Sequence, residues 1–183
     1  MTPRPLIAAL GLTALASLTL GAAPPAPAGP AAPPAGDKSR QAQLARAYKA
    51  TEKYRDEARA IRDGYVRTDD CVASSEGGMG YHYVKEAHVN STDPAKPAAL
   101  VDEPGPGGKR RLVAVEYVTI DRDQDLATDP DRPRMFGRGL NGPMAGHAPG
   151  MPNHYDLHIW FFKKNPKGLM ADWNPTVHCP TAD

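Results

Sequence analysis

Residues 154–159 alternate polar and apolar side chains one by one, in the order His-Tyr-Asp-Leu-His-Ile. Successive side chains of a β-strand point to opposite faces of the sheet. The pattern therefore predicts a strand with three polar side chains on one face: His154, Asp156 and His158. The opposite face then carries three apolar side chains: Tyr155, Leu157 and Ile159. The rest of the chain is organised around this strand.

Imidazole and carboxylate groups are the usual protein ligands of zinc, copper and non-haem iron. Same-face neighbours on a strand lie about 6.5–7 Å apart, so two of the three polar residues can share an ion, whereas all three need a twist or bulge. His147 lies just upstream in a Pro/Gly-rich loop, and His82 lies between two tyrosines in another predicted strand. We therefore expect one divalent transition metal, copper, zinc or iron, bound by two strand residues and His147, with His82 as the next candidate.

Two alternatives to this site stay open. Asp156 can orient a histidine by accepting the N–H of its other ring nitrogen instead of binding the ion itself. The strand can also have a solvent-facing polar side, on which the histidines and the aspartate simply meet water.

Glu116 interrupts an apolar run, and strict alternation places it on the same face as Leu112, Ala114 and Val118. A carboxylate on a buried apolar face is costly unless it is paired or ligated. Glu116 is therefore a candidate metal ligand, an acid/base group with a raised pKa, or the partner of a buried arginine. The alternative is an edge strand on which Glu116 faces water.

The N-terminus has the features of a secretory signal peptide. Arg4 precedes an apolar run over 6–20, which is too short to span a bilayer comfortably, and Ala26-Pro27-Ala28 resembles a cleavage site. We expect a signal peptide over 1–28, a Pro/Ala-rich linker over 29–36 and one domain over 37–183. The protein is then secreted or otherwise extracytoplasmic, with no integral membrane association after processing.

The cysteine count and the charge fit an exported protein. The chain has two cysteines, Cys71 and Cys179, and an even count in an exported protein predicts a disulfide. Removing Arg4 with the signal leaves 21 of 22 basic residues against 21 acidic ones. A net charge near zero argues against nucleic acid or an anionic membrane as the main partner.

The remaining pattern predicts an α+β domain. Larger or apolar residues recur every three or four positions over 41–66, which indicates one long N-terminal helix ending near Gly64. Strands are predicted over 81–84, 99–103, 111–120 and 155–162, the second and third forming a hairpin.

Two segments are predicted to be loops without regular structure. Residues 121–133 are acidic, polar and contain proline, and residues 135–152 hold five glycines and three prolines. The fold class is thus one helix packed on a small antiparallel sheet with long Pro/Gly-rich loops.

Several motifs together resemble a group of exported bacterial proteins that has no established activity. They are GGMGYHY at 77–83, LVAVEY at 112–117, GPMAGH at 142–147, MPNHYDLH at 151–158 and WNP at 173–175. The resemblance covers nearly all of the chain after the signal. It supports the domain limits and draws attention to the same histidines and aspartate, but it implies no reaction.

The sequence leads to two hypotheses. The first is an exported protein with a mononuclear His/Asp metal site; whether it is an enzyme stays open, because no hydrolase, nucleotide-binding or zinc-protease motif is present. The second is a non-catalytic envelope or extracellular binding module without metal. Its partner would contact the basic residues of the predicted helix: Arg46, Lys49, Lys53, Arg55, Arg59 and Arg62.

Overall fold

The structure is a computed structural model that describes residues 35–147 and 150–180. The predicted signal peptide and almost all of the predicted linker lie outside the described residues. Two helices come first, α1 (Ala35–Thr51) and α2 (Glu57–Arg62), joined by a 3-10 turn at Glu52–Arg55. Among the described residues, neither helix is long and apolar enough to cross a bilayer.

The predicted single helix is interrupted at Asp56. This residue has an extended backbone (φ −89°, ψ 102°), and its Oδ1 accepts the Ala58 N–H at 3.1 Å, which caps a new helix. The apolar stripe continues across the break, because Tyr54 in the 3-10 turn is buried. The periodicity of the sequence therefore did not reveal the break. The predicted end at Gly64 is confirmed, since Gly64 has φ +93° and follows the last turn of α2.

Eight strands follow the helices in the described part of the chain. They are β1 (Val66–Ser74), β2 (Gly77–Val84), β3 (Ala99–Pro104), β4 (Arg110–Ile120), β5 (Arg134–Met135), β6 (Arg138–Gly139), β7 (Asn141–Met144) and β8 (His154–Ile159). Six form an antiparallel sheet in the order β1-β2-β3-β4-β8-β7, and β5 pairs with β6. The α+β class with an antiparallel sheet and the β3–β4 hairpin are therefore confirmed.

Two parts of the strand prediction are wrong. The segment 135–152 was expected to lack regular structure, yet it contains β6, β7 and part of β5. Glycine and proline weaken a strand without preventing pairing at an edge, and β7 is an edge strand with an irregular register against β8. The other edge strand, β1, was not predicted, because its side chains are mostly exposed and show no clear alternation.

The sheet has two different faces. One face carries large apolar side chains and packs with residues of the helical region: Ala47, Tyr54, Ala60, Tyr65, Tyr83, Leu100, Leu112, Val115, Tyr117, Tyr155, Leu157 and Ile159. The other face has a smaller apolar cluster made of Val101, Val113, Ala114, Trp160 and Val177. The second face also holds the polar residues of β8. The prediction that the polar and the apolar side chains of this strand lie on opposite faces is therefore confirmed.

The C-terminal segment returns to the sheet beside β2. Gly78 and Asn174 exchange two backbone hydrogen bonds, of 3.1 and 3.0 Å. A side chain at Gly78 would place its Cβ 2.7 Å from the Val177 carbonyl oxygen, so this approach requires glycine. The predicted disulfide is confirmed: Cys71 in β1 is bonded to Cys179.

Candidate metal centre

Strands β2, β4 and β8 bring two histidines and a glutamate together on the face of the sheet that carries the smaller apolar cluster. Glu116 in β4 is directly opposite His158 in β8. His82 in β2 is opposite Val101, which is opposite Ala114, two residues before Glu116. Because paired residues and residues two apart share a face, all three side chains meet on one side of the sheet.

The three side chains approach one another closely and are buried. His82 Nε2 lies 3.5 Å from Glu116 Oε2, and His158 Nε2 lies 3.9 Å from Glu116 Oε1. One ligand atom from each residue lies within 4.8 Å of the others. Only 9% of His82, 3% of Glu116 and none of His158 is exposed. Ligands held about 2.0–2.2 Å from a metal ion lie roughly 3–3.5 Å apart, so small side-chain movements suffice to place an ion here.

A second group of possible ligands shares His158. It consists of Asp156, His158 and Asp172, again with one ligand atom each within 4.8 Å. His158 Nδ1 lies 3.7 Å from Asp156 Oδ2, so the two ring nitrogens of His158 face different carboxylates. Asp172 comes from the C-terminal segment and accepts a hydrogen bond from the Asn141 side chain.

Most of the polar side-chain atoms that are buried without a hydrogen-bond partner lie on this face. Of nine such atoms among the described residues, six belong to four residues here: His82 Nε2, His154 Nε2, Asp156 Oδ1 and Oδ2, and His158 Nδ1 and Nε2. A buried polar group without a partner is costly, and native proteins contain few of them. Their concentration on one face gives the buried histidines and carboxylates here free ligand atoms that could hold a metal ion.

Burial keeps the histidines neutral. It lowers the pKa of His82 to about 4, with a smaller effect of His147, and the pKa of His158 to about 3, with smaller effects of His82 and His147. The neutral imidazole is the form that binds metal, so both histidines are ready to act as ligands at neutral pH.

Burial has the opposite effect on the carboxyl groups. It raises the pKa of Glu116 well above its usual value, and the neighbouring Asp156 and Asp172 raise it further. Burial, followed by the charge of Asp172, raises the pKa of Asp156 to about 7. A cation would reverse both shifts, because it stabilises the ionised carboxylates.

His147 and His154 form a separate pair beside this centre. Their ring centroids are 5.2 Å apart, His147 is exposed and His154 is buried. His154 Nδ1 donates to the Pro152 carbonyl at 3.1 Å, which leaves the buried Nε2 as the nitrogen with a free lone pair. In the described part of the chain neither histidine belongs to a three-ligand group, whereas the sequence favoured His147 as a ligand.

Several sequence alternatives are now decided by burial and topology. The solvent-facing reading of the polar strand is wrong, since His154 and His158 are fully buried and Asp156 nearly so. The edge-strand reading of Glu116 is also wrong, because β4 lies between β3 and β8. Within the described residues, the basic side chains within 4 Å of its carboxylate oxygens are His82 and His158, and no arginine is among them.

One predicted neighbour of Glu116 lies on the other face. The register of β3 against β4 shifts between Val101 and Asp102, so Val113 and Ala114 both join the smaller apolar cluster. Leu112 therefore packs on the helical side of the sheet, although strict alternation placed it beside Glu116.

Asp172 is the site residue that sequence reasoning missed. It lies in a segment without periodic pattern, and only its neighbours 173–175 belong to a motif noted above. It also borders a polar cavity of about 540 Å³, whose other lining residues include Arg138, Asn141, Lys167 and Trp173. Among the described residues, Asp172 is the one member of the two ligand groups that lines this cavity.

No protein-family model matches the chain, and comparison with curated proteins and with solved structures finds no match.

Proposed function

We propose that the protein is an exported metalloprotein that binds a divalent transition metal through His82, Glu116 and His158. The observation that carries this proposal is the group of three buried ligand atoms, supplied by three strands and lying within 4.8 Å of one another. The two histidines are held neutral, and their inward-facing Nε2 atoms have no hydrogen-bond partner.

The set of donors narrows the chemistry. Two imidazoles and one carboxylate are the protein ligands of several catalytic zinc sites and of non-haem iron(II) oxygenases, both of which keep open positions on the metal. Copper also accepts imidazole nitrogen. With such ligands the accessible reactions are activation of a bound water by zinc and redox reactions of copper or iron. The polar cavity beside Asp172 offers room for a small polar substrate.

Export is the second part of the proposal. It is supported by the apolar N-terminal run after Arg4 and by the Cys71–Cys179 disulfide, since disulfides persist in oxidising compartments. The resemblance to exported bacterial proteins points in the same direction.

Elemental analysis tests the metal. The full-length chain is exported from a bacterial host, purified without a histidine tag and compared with His82→Gln and His178→Gln. These are matched substitutions, but His178 is exposed and belongs to neither ligand group. We expect at least one equivalent of zinc, copper or iron in the wild type and in His178→Gln. In His82→Gln we expect fewer equivalents of metal than in the wild type. Loss of a residue that only supports a ligand already lowers metal affinity by about 10–100-fold, and loss of a ligand should lower it at least as much.

The opposite result has a clear meaning. If the wild-type protein retains no metal and its melting temperature does not respond to added zinc, copper or iron, the metal proposal is wrong. The histidines then serve the fold, and the non-catalytic binding module becomes the better hypothesis.

A further inference from the structure

We propose that Asp156, Asp172 and the Nδ1 atom of His158 form a second cation position, so that His158 bridges two metal ions. This inference rests on the proposed function, because His158 Nε2 binds the first ion with His82 and Glu116. The second position takes a divalent transition metal with one nitrogen and two carboxylate ligands.

The contacts around His158 Nδ1 favour a ligand role over a hydrogen bond. Nδ1 and Asp156 Oδ2 are 3.7 Å apart, beyond the 2.7–3.2 Å of an N–H···O bond. Neither Nδ1 nor either oxygen of Asp156 has another hydrogen-bond partner, although all three atoms are buried. An ion between Nδ1, Asp156 and Asp172 would satisfy these atoms together.

The charges around the cluster also favour a second cation. Asp156 and Asp172 come from different segments yet each offers an oxygen within 4.8 Å of a His158 ring nitrogen, and Glu116 offers a third oxygen within the same distance of that ring. Three ionised carboxylates so close together repel one another strongly where water is largely excluded. One divalent ion leaves this group with a net charge of about −1. Two divalent ions are balanced by three carboxylates and the imidazolate of His158, whose ring proton is released to solvent when both nitrogens bind metal.

The two positions differ in their access to solvent. The residues of the first position are almost fully buried, whereas Asp172 is half-buried and borders the polar cavity with Asn141 and Trp173. The second ion therefore lies on the cavity side, where it can exchange more readily and can contact a molecule in the cavity.

A zinc titration of the metal-free full-length protein tests the inference. After removal of unbound zinc we expect two equivalents in the wild type and one in Asp172→Asn, which keeps the size of the side chain and its acceptor oxygen for Asn141. Asp102→Asn is the matched control, since Asp102 is buried but belongs to neither group, and it should retain two equivalents. The same number of equivalents in the wild type and in Asp172→Asn, whether one or two, overturns the second position as proposed, whereas none in the wild type overturns the proposed function instead.

A measurement on the wild type alone guards against misfolding of the variant. Cobalt(II) replaces zinc, and its electron paramagnetic resonance signal is followed through two added equivalents. Two ions joined by one imidazolate are magnetically coupled, so the second equivalent should reduce the signal per cobalt. A signal that simply doubles would show independent ions and overturn the bridge.

Discussion

Two buried carboxyl groups in neighbouring strands have different surroundings. Glu116 lies among histidine nitrogens and other carboxylates, where a cation can stabilise its charge. Asp102 in β3 lies opposite Tyr81 and Leu112, on the helical side of the sheet, where the positive charge of Arg110 lowers its pKa less than burial raises it. Both have a raised pKa because of burial, but only Glu116 belongs to a group of possible metal ligands.

Asp102 gives a pH-dependent prediction for stability. Burial, and then the charge of Glu57, raises its pKa to about 7 in the folded protein from 3.8. A raised carboxyl pKa means that the folded state resists ionisation, so the wild type loses stability as the pH rises from about 4 to about 7. Asp102→Asn removes this loss. We expect it to equal the wild type near pH 4 and to exceed it above pH 7 by up to about 4 kcal/mol, at about 1.4 kcal/mol per pKa unit.

Chemical denaturation at several pH values measures this difference. Asp70→Asn is a suitable control, because Asp70 is exposed and forms no ion pair among the described residues, so its substitution should change stability little. A constant difference between Asp102→Asn and the wild type across the whole range would contradict the ionisation argument.

At the scale of elements, the loop between β7 and β8 packs tightly against itself. Gly146 lies so close to the Met151 backbone that a Cβ at this position would be 1.8 Å from the Met151 carbonyl oxygen. This contact joins the two sides of the loop that carries His147 and leads into His154. The loop therefore needs glycine at position 146 because of this close contact, and not because of a positive φ. Turn signals in the sequence do not reveal a glycine that is required for this reason.

Gly146→Ala should consequently lower the free energy of unfolding. The added methyl group must displace backbone, and overpacking of this kind costs about 1–3 kcal/mol. Gly36→Ala is the matched control: its Cβ would meet nothing within 4 Å in α1, and alanine favours helix by about 1 kcal/mol. Thermal unfolding of both variants beside the wild type measures the effect. An unchanged melting temperature in Gly146→Ala would mean that the loop is free to relax.

How far the sequence predicts these elements depends on whether the information is local. Side-chain alternation is local, so the two faces of β8 followed from the pattern, whereas the burial of Glu116 stayed open because the pattern does not show whether β4 is an edge strand. The shift at Val113 and the break at Asp56 depend on pairing and capping that periodicity does not contain. Asp172 could not be found at all, because its place near His158 is set by the return of the C-terminal segment.

At the scale of the whole molecule, that return is held by contacts between distant parts of the sequence. The Cys71–Cys179 disulfide spans 108 residues and joins the edge strand β1 to the end of the described chain. The Gly78–Asn174 backbone pair fixes the same segment beside β2, and the Trp160 indole donates to the Ala171 carbonyl next to Asp172. The possible metal ligands therefore lie partly in the strands of the sheet and partly, as Asp172, in a C-terminal segment with little regular structure.

Removing the disulfide should accordingly destabilise the protein strongly. A cross-link closing a loop of this length stabilises by about 4–5 kcal/mol on the chain-entropy model, because it restricts the unfolded chain. We expect the Cys71→Ser/Cys179→Ser double variant to unfold at least about 8 °C below the oxidised wild type, at roughly 2–4 °C per kcal/mol for a domain of this size. Reduction of the wild type should produce the same decrease and should leave the double variant unchanged. If reduction lowers both proteins equally, the decrease does not come from this bond. If neither change lowers the melting temperature, the backbone contacts of the C-terminal segment suffice to hold Asp172 beside His158.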